Sequence, residues 1–139
     1  MKAIGKRGYH ANAIENGLEI RLYKREVFVK NQLVPTEKAI KLSSQHIDDL
    51  SKGLKAIAAA VEERERSGTA PNVFTPLGRD GLHLSLTLFC DMLLVHLRYF
   101  DRSFAGHLYP TKHGVTLHVN EALELANILP EFSNTISAQ

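Results

Sequence analysis

The chain has 139 residues, 44% of them apolar and 23% charged, and its 17 Lys and Arg against 15 Asp and Glu leave a net charge of +2. That length admits one ordinary domain or two small units that must pack on each other, because a unit of about 65 residues buries too little surface alone. No apolar run reaches the about 20 residues of a membrane helix and no signal-peptide core opens the chain, so a membrane-free, intracellular protein is expected.

Residues 4–14 read as a first strand, and Asn16-Gly17 as a hairpin turn. Leu18, Ile20 and Leu22 then alternate with Glu19, Arg21 and Tyr23, the period of a half-buried strand that runs to about Arg25. A third strand is expected over Val27–Val34, ended by Pro35-Thr36, and a fourth over Lys38–Ser43. Ser43 or Ser44 caps a helix whose apolar stripe is Ile47, Leu50, Leu54, Ile57, Ala58 and Val61, with Gly53 either weakening it slightly or letting another helix approach closely. The stretch 67–81, with its glycines and prolines, reads as a linker. Leu82, Leu84, Leu86 and Leu88 alternate with polar residues in a clean strand. Leu93–Phe100, Ser103–Tyr109 and Val115–Val119 supply three more, and a helix from Asn120 stops near Leu129 at Pro130. Cys90, the lone cysteine, allows no internal disulfide, fits a reducing compartment, and reads as a half-buried core thiol.

The chain says much of this twice. Laid without a gap, Leu18–Leu54 and Leu93–Leu129 share eight identities in 37 positions, among them Leu18/Leu93, Leu22/Leu97, Pro35/Pro110, Thr36/Thr111 and Leu42/Leu117. They fall on the apolar phase of strands and on one Pro-Thr pair. The expected fold is therefore α+β: two tandem repeats, each a four-stranded antiparallel sheet plus a helix, forming an intramolecular pseudo-dimer. The units are 1–66 and 82–132, joined by the linker 67–81 and followed by a frayed tail, 133–139.

With Leu18, Ile20 and Leu22 inward, Arg21, Tyr23 and Arg25 point outward together, and His96, Arg98 and Phe100 form the matching row. Lys6, Arg7, Lys38, Lys41 and Lys112 extend the stripe. Cations that follow phosphates, with rings that stack on bases, are what a single strand requires, although any sheet facing water must expose polar side chains. Residues 1–66 carry 13 Lys and Arg against 9 Asp and Glu, hence +4, whereas residues 67–139 carry 4 against 6, hence −2. Five of the seven histidines lie in the second half. They are expected at the surface, gaining charge below about pH 6.5 and strengthening anion binding in acid. No tight His/Cys spacing and no nucleophile or phosphate-loop motif is present, so no metal, cofactor or catalytic residue is expected.

Ile4-Gly5-Lys6, Ile20-Arg21-Leu22, Pro35, Lys38, Ile40-Lys41-Leu42 and Leu50 in the first copy make one pattern. Val95-His96-Leu97-Arg98, Pro110, Lys112, Gly114-Val115-Thr116-Leu117 and Leu125 repeat it in the second. It resembles the positive cofactor four family of transcriptional coactivators, in the Whirly-like single-strand-binding group. The resemblance covers about 110 residues. It implies helices packed between two units and curved sheets facing outward to grip single-stranded nucleic acid. It also implies binding roles for Lys6, Lys38, Lys112 and Arg98, the last matched in the first copy by Tyr23; His113 matches Lys38. The positions of a family aromatic hold Glu26 and Asp101, with Phe28, Tyr99 and Phe100 nearby.

Two functions follow as expectations. One is a non-enzymatic module for single-stranded DNA first and RNA second, serving transcription or replication, in which Arg21, Tyr23 and Arg25 matter most. The other keeps the fold without the nucleic acid and binds a protein partner or a further copy of itself.

Overall fold

A computed structural model describes residues 1–26 and 32–137, with side chains described as far as Phe132. The elements come in two rounds. The first is β1 Lys2–Ile4, β2 Tyr9–Ile14, β3 Gly17–Glu26, β4 Gln32–Ser43 and α1 Ser44–Ser67. The second is β5 Val73–Leu77, β6 Leu82–Phe89, β7 Met92–Arg102, β8 Leu108–His118 and α2 Val119–Ser137. The strands form two antiparallel sheets, ordered β1-β2-β3-β4 and β5-β6-β7-β8, each followed by its helix. The expected α+β class with two repeat-like units is what the chain adopts.

Several boundaries differ from expectation, each for a local reason. The first expected strand is two, because Gly5 and Gly8 adopt left-handed φ of 66° and 111° and turn the chain between β1 and β2. Pro35-Thr36 and Pro110-Thr111 do not separate strands. Each lies in a bulge of one long edge strand, where the ladder steps from Arg21↔Ala39 to Tyr23↔Pro35 and from Arg98↔Gly114 to Phe100↔Pro110. The threonine hydroxyl fills the gap: Thr36 donates to the Leu22 carbonyl at 2.7 Å and Thr111 to that of Tyr99 at 2.8 Å. Most of the expected strand Val27–Val34, with Phe28, lies outside the described residues.

The linker 67–81 contains β5, the edge strand of the second sheet, so the connection proper is only 68–72. Helix α2 passes Pro130 and enters the expected tail. Leu129 and Phe132, both buried, hold it in place across the hydrogen bond that proline forfeits. Cys90 is exposed on the β6–β7 turn, with φ of 50°, rather than half-buried in a strand.

One core joins the halves. Leu18, Ile20 and Leu42 of the first sheet, Leu84, Leu97 and Leu117 of the second, and Leu54 and Leu125 of the helices belong to a single buried cluster. Both helices touch both sheets. Gly53 admits not a helix but Leu84 of the second sheet, whose methyl would lie 2.5 Å from an added Cβ. The open faces of the sheets are thereby left to water.

Polar pairs repeat about this junction with altered chemistry. The Arg7 guanidinium meets buried Glu121 at 2.9 Å and 2.6 Å, and Asp80 meets buried His46 at 2.9 Å. Glu121 and His46 hold the same place in their helices, accepting from the backbone N–H of His118 at 2.7 Å and of Ser43 at 3.0 Å. Likewise the Gly5 N–H donates to Glu124 at 2.7 Å and the Gly78 N–H to Asp49 at 2.9 Å.

Candidate functional site

These contacts reveal the true correspondence of the two units. Arg21 and Arg98 each donate to a bulge carbonyl, of Thr36 at 2.6 Å and of Thr111 at 3.0 Å. Tyr23 and Phe100 each donate their N–H to the carbonyl of a turn glycine, Gly8 and Gly81, both at 2.8 Å. His10 and His83 each hydrogen-bond that same carbonyl through Nδ1 at 2.9 Å. The gap-free match is right for β4 with β8 and for the helices, but β3 pairs with β7 two residues further on. The cause is the β6–β7 hairpin, whose ladder adds the pairs Leu88↔Leu93 and Phe89↔Met92. Arg98 is thus the partner of Arg21, not of Tyr23, and the rows to compare are Glu19-Arg21-Tyr23-Arg25 and His96-Arg98-Phe100-Arg102.

On the first face Arg21 is occupied. Its Nε and Nη2 meet the two oxygens of Glu19 at 2.9 Å and 3.1 Å. The hydrogen bond from Arg21 holds the Glu19 carboxyl below its usual range, and the same bond raises the guanidinium. Lys41 faces Glu19 across the ladder. Among the described residues the one ring pair on this face is His10 edge-on to Tyr23, with centroids 5.1 Å apart. Further along, Tyr23, Lys24, Arg25, Lys38 and Arg7 surround an open recess of about 610 Å³. Lys6 is exposed in the β1–β2 turn. Arg7 is largely committed to Glu121, whose hydrogen bond raises its pKa further.

On the second face no carboxylate stands where Glu19 does. His96 occupies that place, half-buried between the hydroxyls of Thr87 at 2.8 Å and Thr116 at 3.0 Å. Burial, and then the charge of Arg98, push its pKa below the ordinary imidazole value. Among the described residues Arg98 has no ion-pair partner; it donates to Thr111 and, at 3.2 Å, to the Thr116 hydroxyl. Beside it lies a ring cluster: Phe74 stacks on His83 at 4.7 Å, and Phe100 sits edge-on to Phe74 at 5.2 Å and to His83 at 5.1 Å. Phe74 is 44% exposed. It escaped the sequence reading because it falls in the supposed linker. Tyr99 points elsewhere, its hydroxyl donating to Asp80 at 3.3 Å and its ring tilted on His113.

No protein-family model, curated protein or solved structure matches the chain.

The eleven expected residues therefore fall into four places. Arg98, Phe100 and His96 converge on one face. Arg21, Tyr23, Arg25, Lys38 and Lys41 share the other, where Glu19 offsets the central cation. Lys6 and Arg7 flank the junction of the units, and Lys112 is exposed at the second bulge. His96, expected to charge in mild acid, takes up its proton at lower pH than an ordinary imidazole because it is buried beside Arg98. Among the described residues no three His, Cys, Asp or Glu side chains gather to hold a metal ion, and no helix is long and apolar enough to cross a membrane.

Proposed function

We propose that the chain binds single-stranded nucleic acid, DNA first and RNA second, without catalysis, through the open faces of its sheets and foremost through the second. One observation carries this reading: Arg98, unpaired with any carboxylate among the described residues, lies beside the Phe74–His83–Phe100 cluster, in which Phe74 is exposed and the other two rings are half-buried. A guanidinium for phosphate or base edges next to flat rings for stacking is the pairing that single strands reward. The resemblance to the positive cofactor four family points the same way and suggests a place in transcription or replication.

Fluorescence anisotropy with labelled dT15, U15 and a 15-base-pair duplex at two salt concentrations tests it. The single strands should bind more tightly than the duplex, with a log–log salt slope of about −0.7 per phosphate contacted. A duplex bound as well as dT15, or no binding at low salt, overturns the reading.

A second reading rests on the tip of the β6–β7 hairpin, where Leu88, Phe89 and Met92 are 59%, 66% and 48% exposed. Such a patch suits a protein partner or a further copy. Concentration-dependent size in sedimentation that Phe89→Glu abolishes would support it.

A further inference from the structure

The second face holds a recess of about 240 Å³. Its floor exists because short side chains stand where longer ones stand on the other sheet: Ser85 for Asn12, Thr87 for Ile14 and Thr116 for Lys41. Phe100 and Pro110, paired across the ladder, give it flat apolar walls. His96 is pinned between two hydroxyls and kept neutral, so Arg98 is the single charged group in the lining.

A phosphate is poorly served by such a place, which offers one cation and apolar walls; a flat ring is well served. Arg98 also directs the edge of that ring. Its fork keeps N–H groups beyond those given to Thr111 and Thr116, and a guanidinium pairs best with two acceptors side by side. Guanine presents such a pair in O6 and N7, whereas adenine sets a donor beside its N7.

We propose that this recess is a nucleobase pocket that takes one guanine of the bound strand, its ring against Phe100 and its O6/N7 edge on Arg98. The proposal rests on the single-strand reading above. It makes the protein selective at one position of an otherwise freely chosen strand.

The test uses the whole chain and labelled dT15 in which the central base alone is changed to dG, dA or dC. The dG strand should bind roughly tenfold more tightly than dT15, and the dA strand no better than dT15. Arg98→Lys, which keeps a charge but loses the fork, should bring the dG/dT15 ratio to about one. Thr116→Lys, which installs the residue that the first face carries, should do the same by filling the floor. Circular dichroism of both variants checks that the sheets are intact. Equal binding of all four strands, or a dA or dC preference, overturns the pocket while leaving the single-strand reading in place. No binding of any strand overturns both.

Discussion

The two open faces are built on one plan and differ at one decisive position. Where the first sheet sets Glu19 beside Arg21, the second sets His96 beside Arg98. The first pair cancels its own charge; the second leaves a guanidinium available and keeps its neighbour neutral. Among the described residues, the first face gathers further cations around its centre with one half-buried ring pair, and the second gathers three rings with few charges. What is lost to self-pairing on one side is available to a ligand on the other. A surface of high formal charge can therefore offer less to an anion than one of low formal charge.

Binding measurements would break or sharpen this contrast. Arg98→Ala should weaken binding of dT15 carrying one central dG by about 2–3 kcal/mol, the range for a hydrogen bond that involves a charged group, and Arg21→Ala by well under 1 kcal/mol. A larger loss at Arg21 would reverse the ranking of the faces. Phe100→Ala should cost about 1–3 kcal/mol as a lost stacking platform, and Tyr23→Ala less.

The junction offers a second comparison, read by chemical denaturation. Arg7→Ala strands buried Glu121, which is 1% exposed, and should destabilise the fold by about 2 kcal/mol, discounted because Arg7 itself is 41% exposed. Asp80→Ala removes one hydrogen bond from the buried His46 ring and should cost only about 1 kcal/mol. Both variants should still unfold in a single transition, since one core serves the two units; two separate transitions would refute that.

Glu19→His, which copies the second face onto the first, should release Arg21 and tighten dT15 binding. Unchanged affinity would mean that Glu19 is not what weakens the first face.

Corresponding positions should also titrate apart. The folded pKa of His96 lies below its unfolded value, so the unfolded chain takes up a proton first as acid is added. Its contribution to stability is complete above about pH 6.5 and declines as pH falls from there toward the folded value. Glu19 is likewise lowered, so its contribution is complete above the usual carboxylate value and is lost as pH falls from there through the lower folded value. Urea melts from pH 8 down to about pH 3 should show the higher step vanish in His96→Gln and the lower one in Glu19→Gln.

The resemblance to a single-strand-binding family stands as a proposal resting on the sheet faces. The doubled architecture, by contrast, was legible in the residues themselves. Alternation at Leu18, Ile20 and Leu22 marked a strand and its inward face, and Leu84 and Leu97 did the same in the second half. Proline and threonine at 35–36 and 110–111 flagged equivalent points, though as bulges rather than breaks, because a hydroxyl can stand in for a missing ladder bond.

What stayed hidden has a common cause. A strand pattern repeats every two residues, so a slip of two leaves the apolar phase intact and cannot be seen by matching leucines. Only the paired backbones of β6 and β7 displayed the longer hairpin, and with it the partnership of Arg21 with Arg98. Period and composition alone determined that two half-buried sheets and two amphipathic helices would form, since local alternation and burial suffice for that. Which arginine is quenched, which ring is shared and which carboxylate is buried were decided by distances between residues far apart in the chain, where hydrogen bonds and charge pairs depend on register that no local pattern records.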